Sequence, residues 1–291
     1  MKEIKTANKF LFDLLVYQII MGFVLHKVDL SGKYFFLFQI IFLFTPILFY
    51  FWSGKNKFLD VVKIKKISGK NIFLLILFGF TIQPVMSFFS CLGTLFAKNL
   101  NQQLVLNLVK HNLLIAIFFV AFLPALFEEI IFRGIFFFGY KKTQPISKAF
   151  FVNALSFAVL HMSYQQFFYA FIMGLIFCAM DFYMDSILPS ILVHFIFNAT
   201  QILKAYIFLN RKNFYFADLF LFDFEINNLF CAFFIAISFL PISIFLFYQI
   251  TKTQNKASVN GDKKYIKEGK EGKIFTWHLV FYLVLCFLCM R

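Results

Sequence analysis

Long apolar blocks separated by short lysine-rich segments are the main pattern of this 291-residue chain. A helix of about 20 apolar residues is long enough to cross a bilayer, and most of the blocks reach that length. The pattern predicts an all-α, polytopic membrane helix bundle with eight or nine transmembrane helices. The predicted spans are 10–26, 34–53, 71–97, 112–139, 149–163, 165–184, 187–209, 227–250 and 274–290.

The count stays between eight and nine because the block at 149–163 is short. The aromatic stretch at 215–225 is predicted to be an interfacial loop.

The chain divides into three predicted regions. They are N-terminal spans with a basic cytoplasmic linker (1–70), a membrane-embedded catalytic core (71–210) and C-terminal spans with a flexible basic linker at 251–273 (211–291).

Composition and charge agree with a membrane protein. The chain is 61% hydrophobic with 50 Phe, and its net charge is +14. A basic chain raises the question of nucleic-acid binding, but these cations lie in short loops between apolar blocks, which is the pattern that sets membrane topology. With a cytoplasmic N-terminus, inner loops hold 19 Lys and Arg and outer segments hold seven. The sequence therefore predicts a multi-pass protein with its N-terminus in the cytoplasm and no nucleic-acid partner.

The stretch 124–134 places three charges inside one apolar block: Glu128, Glu129 and Arg133. Charges at membrane depth cost several kcal/mol and are usually functional. Glu129 and Arg133 are i,i+4 neighbours with the acid on the N-terminal side, which favours an ion pair. Glu128 points about 100° away on a helix and lacks that partner. We therefore interpret Glu129 and Arg133 as a structural ion pair, and Glu128 as the free chemical group.

Three further polar residues lie deep in predicted spans: His161, His194 and Asn198. The last two are i,i+4 and share one helix face. Counted from the nearest charged loop residue at 1.5 Å per residue, Glu128, His161 and Asn198 each lie about 20 Å from the cytoplasmic boundary. His194 lies one turn shallower. Four polar groups from three helices are thus predicted to meet at one level of the membrane.

Such a group has the parts needed to hydrolyse an amide. A Glu and a His can take a proton from water, and a second His with an Asn amide can stabilise an oxyanion. Alternatively, Glu128, His161 and His194 are candidate ligands for one divalent metal, such as zinc, that activates the water. The helix-borne His-Glu-x-x-His signature is absent. The sequence leaves both schemes open, one with a metal and one without a cofactor.

Three motifs carry a family resemblance: Glu128-Glu129-x-x-x-Arg133, Phe157-x-x-x-His161 and His194-x-x-x-Asn198. Together, and in this order, they resemble the CPBP family of intramembrane proteases. That family includes type II CAAX prenyl endopeptidases and the Abi proteins of bacteriocin processing and self-immunity. The resemblance implies a metallo- or glutamate-type endopeptidase in which Glu128 and His161 activate water while His194 and Asn198 stabilise the oxyanion.

The resemblance also implies a peptide or lipidated-protein substrate cut near the membrane surface. Two other functions remain open from the residues alone. The first is a non-catalytic immunity or peptide-binding membrane protein that has kept the fold. The second is a transporter that uses the intramembrane Glu and His side chains as a proton relay. Inverted repeats would favour a transporter, and the sequence shows none.

Overall fold

The computed structural model describes residues 2–27, 33–54, 57–97, 101–141, 143–213, 228–252 and 274–290. Within these ranges every regular element is helical, and a single 3₁₀ turn occurs at Arg211–Asn213. The helices are α1 (Lys2–Lys27), α2 (Lys33–Ser53), α3 (Phe58–Val61), α4 (Gly69–Thr81), α5 (Gln83–Thr94), α6 (Asn101–His111), α7 (Leu113–Lys141), α8 (Ile146–Leu160), α9 (Tyr164–Met184), α10 (Leu188–Leu209), α11 (Leu229–Lys252) and α12 (Trp277–Leu288).

The all-helical membrane architecture predicted from the apolar blocks is confirmed. The predicted count of eight or nine spans is not. Among the described residues, five helical stretches are long and apolar enough to cross a membrane: Gly69–Thr94, Leu113–Lys141, Tyr164–Met184, Leu188–Leu209 and Leu229–Lys252. Three shorter apolar helices lie at Ile41–Ser53, Ile146–Leu160 and Trp277–Leu288.

Several predicted boundaries change. The span predicted at 149–163 ends as a helix at Leu160, so His161 follows the helix instead of lying inside it. The flexible linker predicted at 251–273 begins later than expected, because α11 continues to Lys252. The rest of that linker, and the aromatic loop predicted at 215–225, lie outside the described residues.

Helices α8 and α9 pack closely at a small-residue contact. A Cβ added to Gly174 would lie 2.9 Å from the Ala154 Cα and 3.0 Å from its Cβ. Small residues allow helix backbones to approach in membranes, where packing replaces the hydrophobic effect as the main attraction between helices. This close approach brings the carbonyl of Gly174 within reach of α7.

The two ends of the chain pack onto this core through buried hydrogen bonds. The Tyr140 hydroxyl of α7 donates to Asn8 Oδ1 in α1 at 2.6 Å. Asn8 Nδ2 donates in turn to Ile274 O at 3.0 Å and Thr276 Oγ1 at 2.9 Å, just before α12. The Tyr282 hydroxyl of α12 donates to Ser156 O in α8 at 2.7 Å. Polar bonds of this kind fix which helices are neighbours, because unpaired polar groups are costly in lipid.

The segment 57–68, predicted as part of a basic linker, is docked on the turn between α9 and α10. Val62 is fully buried against Gly134 of α7. Ile187 N donates to Lys63 O at 2.9 Å, and both Lys63 and Lys65 pair with Asp185. Burial would raise the pKa of Asp185, but hydrogen bonds and charge from the two lysines outweigh it, and the pKa is lowered.

Candidate active site

Helix α7 is irregular on both sides of its acidic pair. Two π-helical segments, Ile117–Phe122 and Ile130–Phe136, flank the α-helical segment Leu123–Glu129. The first precedes Pro124, which has no N–H to donate; Leu123 N donates to Phe118 O, five residues back. The second exposes a backbone acceptor, since Phe132 O receives a 2.6 Å bond from Asn153 Nδ2 in α8. Single π turns occur frequently at functional sites because they re-aim side chains.

Glu129 is fully buried and has two partners. Arg133 Nη1 donates to its Oε1 at 3.2 Å, and Arg133 Nε lies 3.1 Å from Oε2. The second approach is an ion pair by distance, but its geometry does not make a hydrogen bond. His194 Nδ1 lies 2.8 Å from the same Oε1. Glu129 therefore links α7 to α10 as well as pairing with Arg133 along its own helix.

Aromatic rings enclose the Arg133 guanidinium, which is the cationic side of the ion pair with Glu129. The Arg133 guanidinium lies 4.3 Å from the Phe157 ring centroid and 5.1 Å from that of Phe177. Its Nη2 also donates to Gly174 O at 3.4 Å. Phe177 stacks on the His194 ring at 5.3 Å. Ring faces attract cations most strongly where water is excluded, so this cage favours a charged Arg133 at membrane depth.

Glu128 presents the unpaired carboxylate. Its side chain is 20% exposed, and its Oε2 lies 4.0 Å from His194 Nε2. Among the described residues this buried Oε2 has no hydrogen-bond partner. Tyr169 of α9, which was not singled out from the sequence, lies close enough to Glu128 to interact with it electrostatically. The two neighbouring acids thus face opposite nitrogens of one imidazole, Glu129 at Nδ1 and Glu128 towards Nε2.

The hydrogen bonds also decide where the histidine protons sit. His161 Nδ1 lies 2.9 Å from Phe157 O, and a carbonyl oxygen can only accept. His161 therefore carries its proton on Nδ1, which leaves a lone pair on Nε2 when the ring is neutral. Likewise, His194 Nδ1 faces the Glu129 carboxylate, which is the acceptor in the ion pair with Arg133, so His194 donates from Nδ1. Both rings keep Nε2 available for chemistry.

The motif residues do not all touch each other. Phe157 connects the two rings, with centroids 4.8 Å from His161 and 6.1 Å from His194. In the part of the chain that the structure describes, neither His161 nor Asn198 makes a hydrogen bond or an ion pair with Glu128. Asn198 is half-buried on α10, one turn beyond His194.

A polar contact that sequence reasoning missed holds α10 against α4 and α5. Gln201 Nε2 donates to Gln83 Oε1 at 2.8 Å, and Gln83 Nε2 donates to Gly79 O at 2.9 Å. Gln201 lies seven residues after His194, on the same face of the helix. This spacing could have predicted the contact, because a third polar side chain on one face of an apolar helix indicates a contact with another helix.

The residues offered as metal ligands do not fit a metal centre in this arrangement. Within the described ranges, no three or more His, Cys, Asp or Glu side chains form a group that could hold a metal ion. Glu128 and His194 supply only two adjacent donor atoms. Structural and catalytic zinc sites require at least three protein ligands.

Residues 110–200 match a protein-family model described as type II CAAX prenyl endopeptidase Rce1-like. The segment is similar to that family. The resemblance predicted from the three motifs is confirmed. The Rce1-like segment covers roughly a third of the chain and includes α7, α8, α9 and most of α10. No curated protein and no solved structure matches the chain.

Proposed function

We propose that the protein is an intramembrane endopeptidase that hydrolyses a membrane-proximal peptide bond with an activated water. The observation that carries the proposal is the approach of Glu128 Oε2 to His194 Nε2 at 4.0 Å, inside an Rce1-like segment. A water oxygen about 2.8 Å from both atoms would form an Oε2–water–Nε2 angle of about 90°, which a hydrogen-bonded water molecule tolerates. The two side chains therefore have the spacing to hold one small oxygen species between them.

In the proposed reaction, Glu128 takes a proton from water, assisted by the lone pair of His161 Nε2. The resulting hydroxide attacks the carbonyl carbon of the scissile bond, and the carbonyl π electrons move to its oxygen. When the tetrahedral intermediate collapses, Glu128 returns the proton to the leaving amine. Proton transfer by a positioned side chain contributes about 10²–10⁴-fold to rate.

His194 and Asn198 are proposed to stabilise the oxyanion of that intermediate. For His194 to donate from Nε2, its ring must carry protons on both nitrogens. The Glu129 carboxylate, 2.8 Å from Nδ1, offsets the positive charge of that form and holds the ring in place. Arg133 in turn forms an ion pair with Glu129. Glu129 and Arg133 are thus proposed to position His194, which extends the structural role predicted from their i,i+4 spacing.

We propose glutamate-type water activation and derive no step through a metal, because the described residues do not form a set of three ligands. The family description names a prenyl endopeptidase. The proposed substrate is therefore a lipidated protein or peptide whose lipid lies in the bilayer beside the cleaved bond, processed by a multi-pass enzyme with its N-terminus in the cytoplasm.

The test uses purified protein in liposomes and a quenched fluorogenic peptide, offered with and without a farnesyl group on its cysteine. Glu128→Gln and Glu128→Ala are expected to reduce cleavage by about 10³-fold. Glu3→Gln makes the same chemical change at an exposed site on α1 and should leave cleavage unchanged. Cleavage at the wild-type rate in both Glu128 variants would end the assignment. Activity that chelation removes and zinc restores would refute the metal-free scheme.

A further inference from the structure

The docked segment 57–68 lies at a membrane boundary. It bonds to the turn between α9 and α10, two helices that are each long and apolar enough to cross a membrane. It also leads directly into the stretch Gly69–Thr94, which has the same property. Two side-chain bonds reinforce the docking, because Ser186 Oγ accepts from Lys65 N at 3.1 Å and donates to Lys65 O at 3.2 Å. The segment is therefore held where three spans meet the surface of the bilayer.

The exposed side of this segment combines apolar and basic side chains. Leu59 is 69% exposed and Ile64 is 52% exposed. Exposed lysines lie on both sides of them in the sequence, Lys57 before and Lys66 and Lys70 after, the last in the first turn of α4. At a membrane boundary, exposed apolar side chains can enter the acyl region while neighbouring lysines reach the headgroups. The exposed side therefore has the composition of a surface that lies against lipid.

The segment also carries an excess of positive charge. Residues 57–70 contain five lysines and a single acid, Asp60. Lys63 and Lys65 pair with Asp185. The other three lysines are those on the exposed side, and none of them forms an ion pair within the ranges that the structure describes. Their charges are thus available to a partner outside the protein.

We propose that Lys57, Lys66 and Lys70, together with the exposed apolar side chains between them, form a docking surface for anionic phospholipid headgroups. Each lysine near an anionic membrane surface strengthens the attraction by about fivefold. The segment is already ordered by its bonds to the turn between α9 and α10, so lipid binding costs less conformational entropy than it would in a flexible basic tail. The three lysines should together give an anionic lipid a preference of at least about tenfold over a zwitterionic one.

The proposed surface is joined to the core of the bundle through one buried contact. Val62, on the inner side of the segment, packs against Gly134, which follows Arg133 in the second π-helical segment of α7. Lipid bound to the outer side would help to hold this contact in place. The proposal does not depend on the reaction proposed above, because no residue of the three motifs takes part in lipid binding.

The chain contains its own reporter of lipid contact. It has two tryptophans, Trp52 and Trp277. Trp52 is 85% exposed at the end of α2, and the ring of the preceding residue, Phe51, packs on Phe58 with centroids 5.1 Å apart. A Trp277→Phe background therefore leaves one tryptophan beside the segment. This protein is reconstituted in phosphatidylcholine vesicles in which either brominated phosphatidylglycerol or brominated phosphatidylcholine replaces part of the lipid, and quenching of the Trp52 fluorescence is measured.

Brominated phosphatidylglycerol is expected to bind beside Trp52 with an affinity about tenfold above that of brominated phosphatidylcholine. Changing Lys57, Lys66 and Lys70 together to Gln should bring the two affinities to within about twofold of each other. Equal quenching by the two brominated lipids before these changes would overturn the proposal. So would a preference for phosphatidylglycerol that survives the loss of all three lysines.

The matched control removes three cations at the other membrane boundary: Lys110→Gln, Arg211→Gln and Lys212→Gln. Lys110 precedes α7, and the other two follow α10, so all three lie at the opposite ends of these helices from the segment. This variant should keep the full preference, and a loss as large as that in the segment variant would also overturn the proposal. Native mass spectrometry of the unaltered protein with equal amounts of the two lipids gives a reading that needs no variant. Bound phosphatidylglycerol should predominate, and equal binding of the two lipids would count against the surface.

Discussion

Helices α7 and α11 are nearly equal in hydropathy and differ in almost everything else. Their most apolar windows have mean hydropathies of 2.3 and 2.6. Half of the α7 window is buried inside the protein, against 22% of the α11 window. Hydropathy therefore identifies both as membrane spans but does not show which one forms the core of the bundle.

The placement of polar side chains separates the two helices. In α11, Ser238 and Ser243 donate to carbonyls four residues earlier in the same helix, at 2.9 and 3.1 Å. In α7, Glu129 bonds to α10 and Arg133 bonds to Gly174 O in α9. A helix that satisfies its polar groups by itself can face lipid, whereas one that depends on neighbours must be enclosed by them. The buried charges of α7 should therefore fix its position more strongly than the two serines fix that of α11.

The largest expected effect comes from removing one member of the buried ion pair. Arg133→Met leaves Glu129 without its closest cation and removes the guanidinium from its aromatic cage. Breaking a buried pair costs about 3–5 kcal/mol. The melting temperature in detergent should fall by roughly 10 °C. It is measured from the fraction of protein that stays monodisperse on heating. Lys252→Met, at the end of α11, also removes one positive charge. It should change the melting temperature by less than about 2 °C.

Equal melting temperatures for these two variants would contradict the comparison. Such a result would mean that the Arg133 charge in α7 contributes no more to stability than the Lys252 charge at the end of α11.

A second contrast uses close packing instead of charge. Gly174→Ala puts a Cβ 2.9 Å from the backbone of Ala154, which must move. Overpacking of this kind costs about 1–3 kcal/mol. In α11, Ser238→Ala at an exposed position should cost less than about 0.5 kcal/mol. The measurement is again thermal stability in detergent. A Gly174→Ala protein as stable as wild type would show that the contact between α8 and α9 is looser than the distances indicate.

Much of the fold could be predicted from the sequence because apolar block length is a strong signal. Eight of the nine predicted spans each correspond to one helix, and the span at 71–97 corresponds to α4 and α5. The number that cross the membrane was not predictable to the same degree, since short helices such as α8 and α12 are apolar without reaching spanning length. Docking of the segment 57–68 was missed because its lysines indicate a solvated surface, while Val61 and Val62 are too few to indicate burial.

For the candidate site, the sequence motifs predict residues but not the contacts between the helices that carry them. Spacing along one helix predicted a Glu129–Arg133 pair, and the structure shows that pair. Spacing carries no information about contacts between helices, so the bond from Glu129 to His194 was not foreseen. The π turns of α7 were also not predicted. The catalytic roles of Glu128, His161, His194 and Asn198 stay predictions until cleavage is measured.

Two tyrosines offer a smaller test of the same contrast. Tyr282 in α12 donates a 2.7 Å bond to Ser156 O and is fully buried, whereas Tyr248 in α11 is exposed. Tyr282→Phe should lower stability by about 1 kcal/mol, the usual net worth of one hydrogen bond. Tyr248→Phe should have no measurable effect. A difference in detergent melting temperature of a few degrees between the two variants is the expected result, and a reversed order would show that α12 is not part of the core.

The smallest expected effect lies at the surface of the same core, at the double ion pair of Asp185 with Lys63 and Lys65. These lysines lower the pKa of the Asp185 carboxyl group in the folded protein. The ion pair therefore stabilises the fold at pH values above the unfolded pKa of about 3.9, and this stabilisation is lost as the pH falls through the lower folded pKa. Exposed pairs contribute about 0–1 kcal/mol.

At pH 6, Asp185→Asn should therefore melt about 2 °C below wild type, and the two curves should converge as the pH falls through the lowered folded pKa of Asp185. Asp60→Asn, an exposed acid on the same segment, serves as the control and should follow wild type throughout. Convergence matters more than the size of the shift, because only the ion pair makes the difference disappear with acid. A gap that remains after acid has protonated the carboxyl group would mean that the ion pair with the lysines is not the source of the difference.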